Sequence, residues 1–495
     1  MKRVLIANRG EIALRVIRAC HEAGLEAVSV YSTADRAAPH VHAADFAIEI
    51  GPPSPGQSYL SIDRLIAAAE ASGADAVHPG YGFLAERAAF AEAVERAGLT
   101  FVGPPASAIR AMGDKTEARR RMQEAGVPIV PGLSAPVDDI NAARQAAKEI
   151  GYPIMVKAAA GGGGKGMRVV ARAEDLATAL EAARSEAGKA FGDSSVYLEK
   201  FIERPRHIEI QILSDRERSI HLGERECSIQ RRHQKLVEES PSSAVGAELR
   251  ERMGSAAVAA ARAVGYLGAG TCEFLVTVDG AFYFLEMNTR IQVEHTVTEL
   301  VYGVDLVREQ LRIAAGETMS LMQLTPRGWA IECRITSEDP QNNFLPATGR
   351  IESLRIPGGP GVRWDSGIEV GDEITLYYDS LLAKLVVWAP DRPQAIARMS
   401  RALTELLISG VATNQVFHRR LFAEPAFQQG AIDIQFLERR PDLLQPAPSR
   451  ARVLELAAAA ALAEDEARQS RRPVLTTDAA QSDNWSRLAR TEALR

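Results

Sequence analysis

Two runs rich in β-branched and aromatic residues, Thr271–Val278 and Ala281–Glu286, are separated only by Asp279-Gly280. Such runs around an Asp-Gly pair specify a β-hairpin. A two-residue turn there sets Val278 opposite Ala281, and counting back places Glu273 directly across from Glu286, with Asn288 on the same side two residues on. Like charges directly opposite each other destabilise a sheet, so the pattern calls for a cation between the carboxylates. Glu, Glu and Asn are hard oxygen ligands suited to Mg²⁺ or Mn²⁺, and Mg²⁺ held by one or two carboxylates is commonly shared with substrate phosphates. This points to ATP chemistry. Two side chains splayed into solvent would explain the glutamates alone, but not the polar group that follows them. Arg290, Gln292, Glu294 and His295 leave a strand of buried character. Arg290 can fork onto an anion and Glu294 is close enough in sequence to act as a base.

At 495 residues the chain has room for about three domains. A net charge of -6 argues against nucleic acid or an anionic membrane as the main partner. Val4-Leu-Ile-Ala is too short for a signal peptide and nothing later approaches a membrane span, so a cytoplasmic enzyme is expected. Cys20, Cys227, Cys272 and Cys333 are scattered, with no Cys-x-x-Cys pair, and read as reduced, buried small residues.

The chain opens as a βαβ unit: strand Arg3–Asn8, a helix with its apolar stripe at Ile12, Leu14, Val16, Ile17 and Cys20, and strand Glu26–Tyr31. Gly10 stands alone in the turn, so the dinucleotide fingerprint is absent. His78-Pro-Gly-Tyr-Gly-Phe-Leu-Ala-Glu86 follows a short strand, where α/β folds place ligands. A plain tight turn would explain its glycines but not Tyr81 and Glu86. After Phe101-Val-Gly-Pro-Pro a new unit begins near Met112-Gly-Asp-Lys115. Strands Ile154–Lys157 and Met167–Ala171 flank the cluster Gly161–Gly166, and no Ser or Thr follows Lys165. The cluster therefore reads as a hairpin loop able to fold over phosphates as a lid, and not as a Walker loop. His207, Glu209 and Gln211 alternate with isoleucines and share one strand face. The one basic stretch, Ser228–Lys235, reads as a loop carrying Gln230, His233 and Lys235 toward acidic residues, which suits neither a solvated face nor RNA. Asp379-Ser380 is expected to end a strand near Arg334.

Glu286-Met-Asn-Thr-Arg-Ile-Gln-Val-Glu-His295 resembles the signature of the biotin carboxylases, within the ATP-grasp superfamily. Asn8-Arg-Gly-Glu-Ile-Ala, Met112-Gly-Asp-Lys115 and Gln230-Arg-Arg-His-Gln-Lys235 are similar to further segments of that family. The resemblance implies an α/β and α+β multidomain fold. It comprises a Rossmann-like N-terminal domain over 1–112, an ATP-grasp domain over 113–317 with a mobile lid at about 130–203, and a mixed α/β C-terminal domain over 328–440. The whole carboxylation core then spans 1–440. It further implies that Lys115, Lys157, His207, Gln230, His233, Glu273, Glu286 and the lid glycines Gly161, Gly162, Gly163, Gly164 and Gly166 bind ATP, with Glu199, Lys200 and Ile202 around the adenine. By the same resemblance Glu273, Glu286 and Asn288 hold two Mg²⁺ or Mn²⁺ ions. Lys235, Arg290, Gln292 and Val293 hold bicarbonate, with Glu294 as its base. Tyr81, Gly82 and Arg334 face biotin, where the Arg334 guanidinium stabilises the enolate.

The activity so implied is ATP- and bicarbonate-dependent carboxylation of biotin through carboxyphosphate, the first half-reaction of an enzyme such as acetyl-CoA carboxylase. Alternatives are a carboxylate–amine ligase of the same superfamily, service to an acyl-CoA, pyruvate or other 2-oxo acid carboxylase, and a silent subunit that only binds a carrier. Carrier domains resemble one another around a lysine between two methionines. Here the only Met-Lys pair is Met1-Lys2 and no lysine follows Lys384, so biotin is expected on a separate carrier protein, with a carboxyltransferase subunit finishing the reaction. The N-terminal helix and last domain resemble elements of a twofold homodimer. Departures from the family are Thr296 in place of proline, Ala159-Ala160 before a short glycine run, and a small insertion at Asn342-Asn343. In the tail, 447–495, Val453–Ala467 reads as helix and Arg471–Arg495 as polar and aperiodic, either frayed or a dock for another subunit.

Overall fold

The computed structural model describes residues 1–133, 136–137, 139–158, 167–319, 321, 325–444 and 450–470. The chain separates into two units, Met1–Leu444 and Gln445–Arg495. Of the second, the alanine-rich helix Arg450–Ser470 is described, longer than the sequence pattern requires, with its side chains from Val453 to Arg468 exposed.

The first unit begins with a five-stranded parallel sheet in the order Phe46–Gly51, Glu26–Ser32, Arg3–Ile6, Ala76–His78, Thr100–Phe101. The strand order reverses beside Arg3–Ile6, and in open α/β sheets ligands bind outside the carboxyl ends of strands at that point. Asn8 and the loop after His78 stand there. The Asn8 side-chain amide donates to the carbonyls of Pro79 and Tyr81, both at 2.7 Å, and fixes the loop. Gly80, at φ +62, brings its backbone so near Asn8 that a Cβ would come within 2.8 Å of the amide nitrogen.

A smaller antiparallel sheet pairs Ile154–Ala158 with Met167–Val170 on one side and Val196–Lys200 on the other. The strands expected around the glycine cluster therefore form the expected hairpin, while Gly161, Gly162, Gly163, Gly164 and Gly166 lie outside the described residues.

The largest element is an eight-stranded antiparallel sheet in the order Phe282–Asn288, Gly268–Val276, Arg206–Ser214, Ser219–Arg231, Gln234–Ser240, Trp329–Thr336, Leu381–Ala389, Val362–Ser366. It runs without interruption from strands of the proposed ATP-grasp segment into those beyond residue 328. On one face Ile208, Ile210 and Ile212 pack with Met253, Ala257 and Ala260 of helix Ala247–Ala263. Each isoleucine buried in this way stabilises the fold by about 2 kcal/mol. The opposite face of the same strand carries His207, Glu209 and Gln211, all buried.

The central hairpin corrects the expected turn. Its register pairs Val276 with Phe282, and Thr277 N donates to Ala281 O, so three residues, Val278 to Gly280, form the loop, with Gly280 left-handed at φ +82. That register alone would slip Glu273 past Glu286. A bulge between Glu273 and Phe274 restores it, with exposed Leu285 the extra residue, and Glu273 does pair directly with Glu286. A longer turn and a bulge cancel. The expected loop at Ser228–Lys235 is likewise a strand hairpin, Gln230 pairing with Lys235 around the turn Arg232-His233. Asp379-Ser380 precedes strand Leu381–Ala389 instead of ending one. All four cysteines are free and buried. Among the described residues no helix is long and apolar enough to cross a membrane.

Candidate active site

The register places Glu286, Glu273, Glu209 and Arg225 side by side on four successive strands. Strands lie about 4.8 Å apart, so three carboxylates stand abreast with one arginine at the end of the row. Their charge is met from two sides. Arg225, fully buried, donates to Glu209, to Gln211 Oε1 at 2.6 Å and to the Thr298 and Thr271 hydroxyls. Lys235 Nζ reaches over the row and donates to Glu209 Oε2 at 2.5 Å, Glu273 Oε1 at 2.9 Å and Glu294 Oε1 at 2.7 Å. Burial works to lower the Lys235 pKa, but the three carboxylates outweigh it and hold the ammonium charged.

Glu273 is the most heavily bonded of the row. Besides Lys235 it accepts from Asn288 Nδ2 at 2.9 Å and Gln292 Nε2 at 3.2 Å, and its other oxygen lies 2.9 Å from His207 Nε2. Desolvation opposes its ionisation, yet Lys235 and His207 push its pKa well down. Glu286 is different. It faces the open cavity, and no side chain among the described residues bonds its carboxylate. Desolvation, then the charges of Glu273 and Glu86, raise its pKa. An under-compensated carboxylate opposite Glu273, with Asn288 on the same side, fits a divalent cation.

These side chains line a cavity of about 800 Å³. Its lining includes Lys157, Glu199, Lys200, Ile202, His207, Gln230 and His233, together with Tyr81, Gly82, Arg290, Gln292, Val293 and Arg334. The cavity thus gathers most of the residues singled out from sequence. Several are already engaged. Lys157 Nζ and Arg119 hold the Glu199 carboxylate, and Lys200 Nζ turns away to the carbonyls of Gly151 and Tyr152, at 2.9 and 3.0 Å. Val293 O accepts from Lys384 Nζ at 3.0 Å. Arg290 Nε donates to Glu86 Oε2 at 2.9 Å, the other oxygen of Glu86 accepts from Thr289 N at 3.1 Å, and Arg290 also donates to Asn288 Oδ1 at 3.1 Å. Lys115 opens helix Lys115–Glu124 outside the lining, although its charge acts on Glu286.

Glu294 is not in the wall. It is 0% exposed, behind Lys235 and Arg334, whose NH2 donates to Glu294 Oε2 at 2.9 Å while its Nε donates to Glu238 Oε1 at 2.6 Å. Burial works to raise the Glu294 pKa, but Lys235, Arg334 and Arg225 together hold it far below the usual carboxylate range. Arg225, Glu238 and Glu332 are not legible as site residues in the sequence. Glu238 and Glu332 are directly opposed on adjacent strands and both 0% exposed. The Thr296 hydroxyl donates to Glu332. Beside Tyr81 and Gly82, Asn8 and Glu11 also line the cavity, Glu11 accepting from the Tyr81 hydroxyl and lying 3.1 Å from Lys384 Nζ. The acidic residue in Asn8-Arg-Gly-Glu11 is the one sequence signal for this.

Comparison with known proteins agrees with this geometry. The family model described as the biotin carboxylase N-terminal domain matches residues 1–109, that of the carbamoyl-phosphate synthase L chain ATP binding domain matches 114–322, and that of the biotin carboxylase C-terminal domain matches 332–439. The chain is 55% identical to the biotin carboxylase of Nostoc sp., over 88% of this chain and 98% of that one. It is 53% identical to biotin carboxylase 1 of Bacillus subtilis, over 88% of this chain and 98% of that one. Among solved structures it resembles the biotin carboxylase domain dimer of Hydrogenobacter thermophilus 2-oxoglutarate carboxylase, in complex with MgADP, ADP and bicarbonate. There the TM-score is 0.84 at 48% identity, covering 90% of this chain and 99% of that one. With a row of acids beside a cavity of about 800 Å³, a matching fold and identity of this level over nearly the whole core, the chain belongs to the biotin carboxylase family and is an ATP-dependent ligase.

Proposed function

We propose that the cavity carries out the two chemical steps at its two ends, with Lys235 and Glu294 between them. The observation that supports this is the single ammonium of Lys235 bonded to Glu209, Glu273 and Glu294. A carboxylate held as a tight ion pair is a poor base. Bicarbonate competing for Lys235 and Arg290 would weaken the Lys235–Glu294 bond and restore the basicity of Glu294 at the moment an acidic O–H arrives beside it. The bicarbonate proton then passes to Glu294, and the freed oxygen attacks the terminal phosphate of ATP, with ADP leaving and carboxyphosphate formed. Carboxyphosphate breaks down to CO₂ and phosphate, the released phosphate takes the proton from biotin N1, and N1 bonds to the CO₂ carbon.

Glu273, Glu286 and Asn288 would hold the divalent ions, which neutralise phosphate charge during transfer. Lys157, His207, Gln230, His233 and Lys115 serve ATP, with Glu199, Lys200 and Ile202 at the adenine. Val293 contributes a backbone contact to bicarbonate along with Gln292. Tyr81, Gly82 and Arg334 receive the biotin ring. Arg334 already stands against Glu294 at 2.9 Å, so the carboxylation step is adjacent to the proton-transfer step.

The proposed boundaries of the three segments are 1–112, 113–317 and 328–440. The protein is read as a cytoplasmic homodimer that receives biotin on a separate carrier protein and passes the carboxyl group to a carboxyltransferase subunit, which names the final acceptor. A tethered biotin meets Arg334 at a far higher effective concentration than free biotin does. The test is metal-dependent ATP cleavage with and without bicarbonate, and carboxylation of free against carrier-bound biotin. Cleavage that ignores bicarbonate and biotin but answers to an amine acceptor would replace this reading with a carboxylate–amine ligase. Light scattering that shows only monomer at micromolar concentration would remove the dimer.

A further inference from the structure

Six non-glycine positions among the described residues have positive φ, and four of them, Arg232, His233, Asn343 and Phe344, lie in two turns that meet. The first is the two-residue turn between strands Ser219–Arg231 and Gln234–Ser240. Arg232 and His233 have φ of 51° and 65°, the geometry for which Asn-Gly is the favoured sequence and which side chains with a Cβ resist. The second contains Asn342-Asn343. Asp339 ties it down, accepting from Gln341 N at 2.9 Å and Asn342 Nδ2 at 2.6 Å, while Phe344 N donates to Asp339 O at 2.8 Å. The left-handed pair Asn343 and Phe344 then turns the Phe344 ring into the core, edge-on to Phe417 at 5.5 Å between centroids.

Arg231 joins the two turns. Its NH2 donates to Asn343 O at 2.8 Å and Asn343 Oδ1 at 2.6 Å, and its guanidinium lies 4.5 Å over the Phe344 ring. Four residues further on, Lys235 is anchored independently by three carboxylates. Only Arg232, His233 and Gln234 lie between these anchors. His233 lines the cavity, and no described side chain bonds its imidazole, so its position is set by the backbone of the strained turn.

Resting on the reading of His233 as a nucleotide contact, we infer that Arg231, clamped by Asn343 and Phe344, is a positioning residue for His233, so that this second turn sets affinity for ATP and leaves affinity for bicarbonate alone. The separation follows from the anchors: bicarbonate's proposed partner Lys235 is held without the clamp, whereas His233 is not. Arg231→Lys keeps the charge but loses both the fork onto Asn343 and the flat face over Phe344, so it does not rescue the function. Asn343→Gly keeps the carbonyl and tolerates the left-handed backbone, so it does so in large part.

The experiment is steady-state kinetics of Arg231→Ala, Arg231→Lys, Asn343→Gly, His233→Ala and the Arg231→Ala/His233→Ala double variant in the full chain. Expected are a KM for ATP raised about tenfold in Arg231→Ala and Arg231→Lys, with kcat and the KM for bicarbonate within about twofold of the parent. The double variant should be no worse than His233→Ala alone, because both act through one side chain. If His233→Ala raises the KM for ATP and Arg231→Ala does not, the clamp is overturned. Additive effects in the double variant, or a matching rise in the KM for bicarbonate, overturn it as well. If His233→Ala itself is silent, the nucleotide role of His233 fails first and the clamp with it.

Discussion

Lys235 Nζ lies 2.7 Å from Glu294 Oε1, so the proposed anion anchor and the proposed base neutralise each other until substrate separates them. Glu294→Gln keeps the shape and an acceptor oxygen for Lys235 but cannot take a proton. Bicarbonate-dependent turnover should fall by about 10²- to 10⁴-fold, the usual worth of a positioned base, while ATP binding measured by calorimetry stays within about threefold. Turnover equal to the parent's would take the base role away from Glu294.

Arg225 touches no part of the cavity lining, yet it bonds Glu209, Gln211 and two threonines beneath it. Removing one partner of a buried pair leaves an uncompensated charge, so Arg225→Met should cost about 3–5 kcal/mol in urea unfolding. Glu209 would keep only Lys235. A loss below about 1 kcal/mol would show that Lys235 alone is enough to carry the row.

Glu238 and Glu332 give a pH dependence whose sign can be worked out. Burial, partly offset by Arg334 and reinforced by Glu294, raises Glu238 to about 7 from an ordinary value of 4.5. The folded state therefore holds this proton more tightly than the unfolded chain. The stability it contributes is fully present below about pH 4.5 and is lost as pH rises through about 7, by about 3 kcal/mol in all. Burial likewise raises Glu332 well above the ordinary carboxyl value, and its Oε1, like Glu238 Oε2, has no partner among the described residues. Glu332→Gln removes one acid and supplies an amide donor for the other. Its Tm relative to the parent should rise between pH 6 and pH 8, as read by scanning calorimetry. A constant difference across that range would mean that the fold does not raise the pKa of either carboxyl into it.

The hairpin at Asp279-Gly280 is legible in the sequence because β-branched runs, alternation and turn residues all act locally, and so are the helical stripe after Gly10 and the shared face of His207, Glu209 and Gln211. The loop length is not, since Ala281 could pair with Val278 across a two-residue turn or with Thr277 across a three-residue one, and no local signal marks the bulge at Leu285. Arg225 and Glu238 escape a sequence reading for a related reason. Their partners Glu209 and Arg334 lie on neighbouring strands, 16 and 96 residues away, and a bulge shifts the first of these registers. Glu294 stands out in the sequence only by its place in a family signature, and its burial behind Lys235 follows only from tertiary packing.

Glu286 supplies the last prediction. It faces the cavity opposite Glu273 with no bonding partner among the described residues, and its raised pKa shows that without a cation its charge is disfavoured. Glu286→Gln should therefore act in opposite directions on two readouts. Without added metal the variant should melt no lower than the parent at pH 8, and higher if repulsion from Glu273 is felt, because the neutral amide removes a like charge. With ATP present, the Mg²⁺ concentration giving half-maximal cleavage should rise by about tenfold or more, as expected when a metal site loses a carboxylate. A structural role alone would lower the melting temperature and leave the Mg²⁺ requirement unchanged. That pair of results would remove Glu286 from the metal site and leave Glu273, already bonded to Lys235, Asn288 and Gln292, as an ordinary buried ion-pair partner.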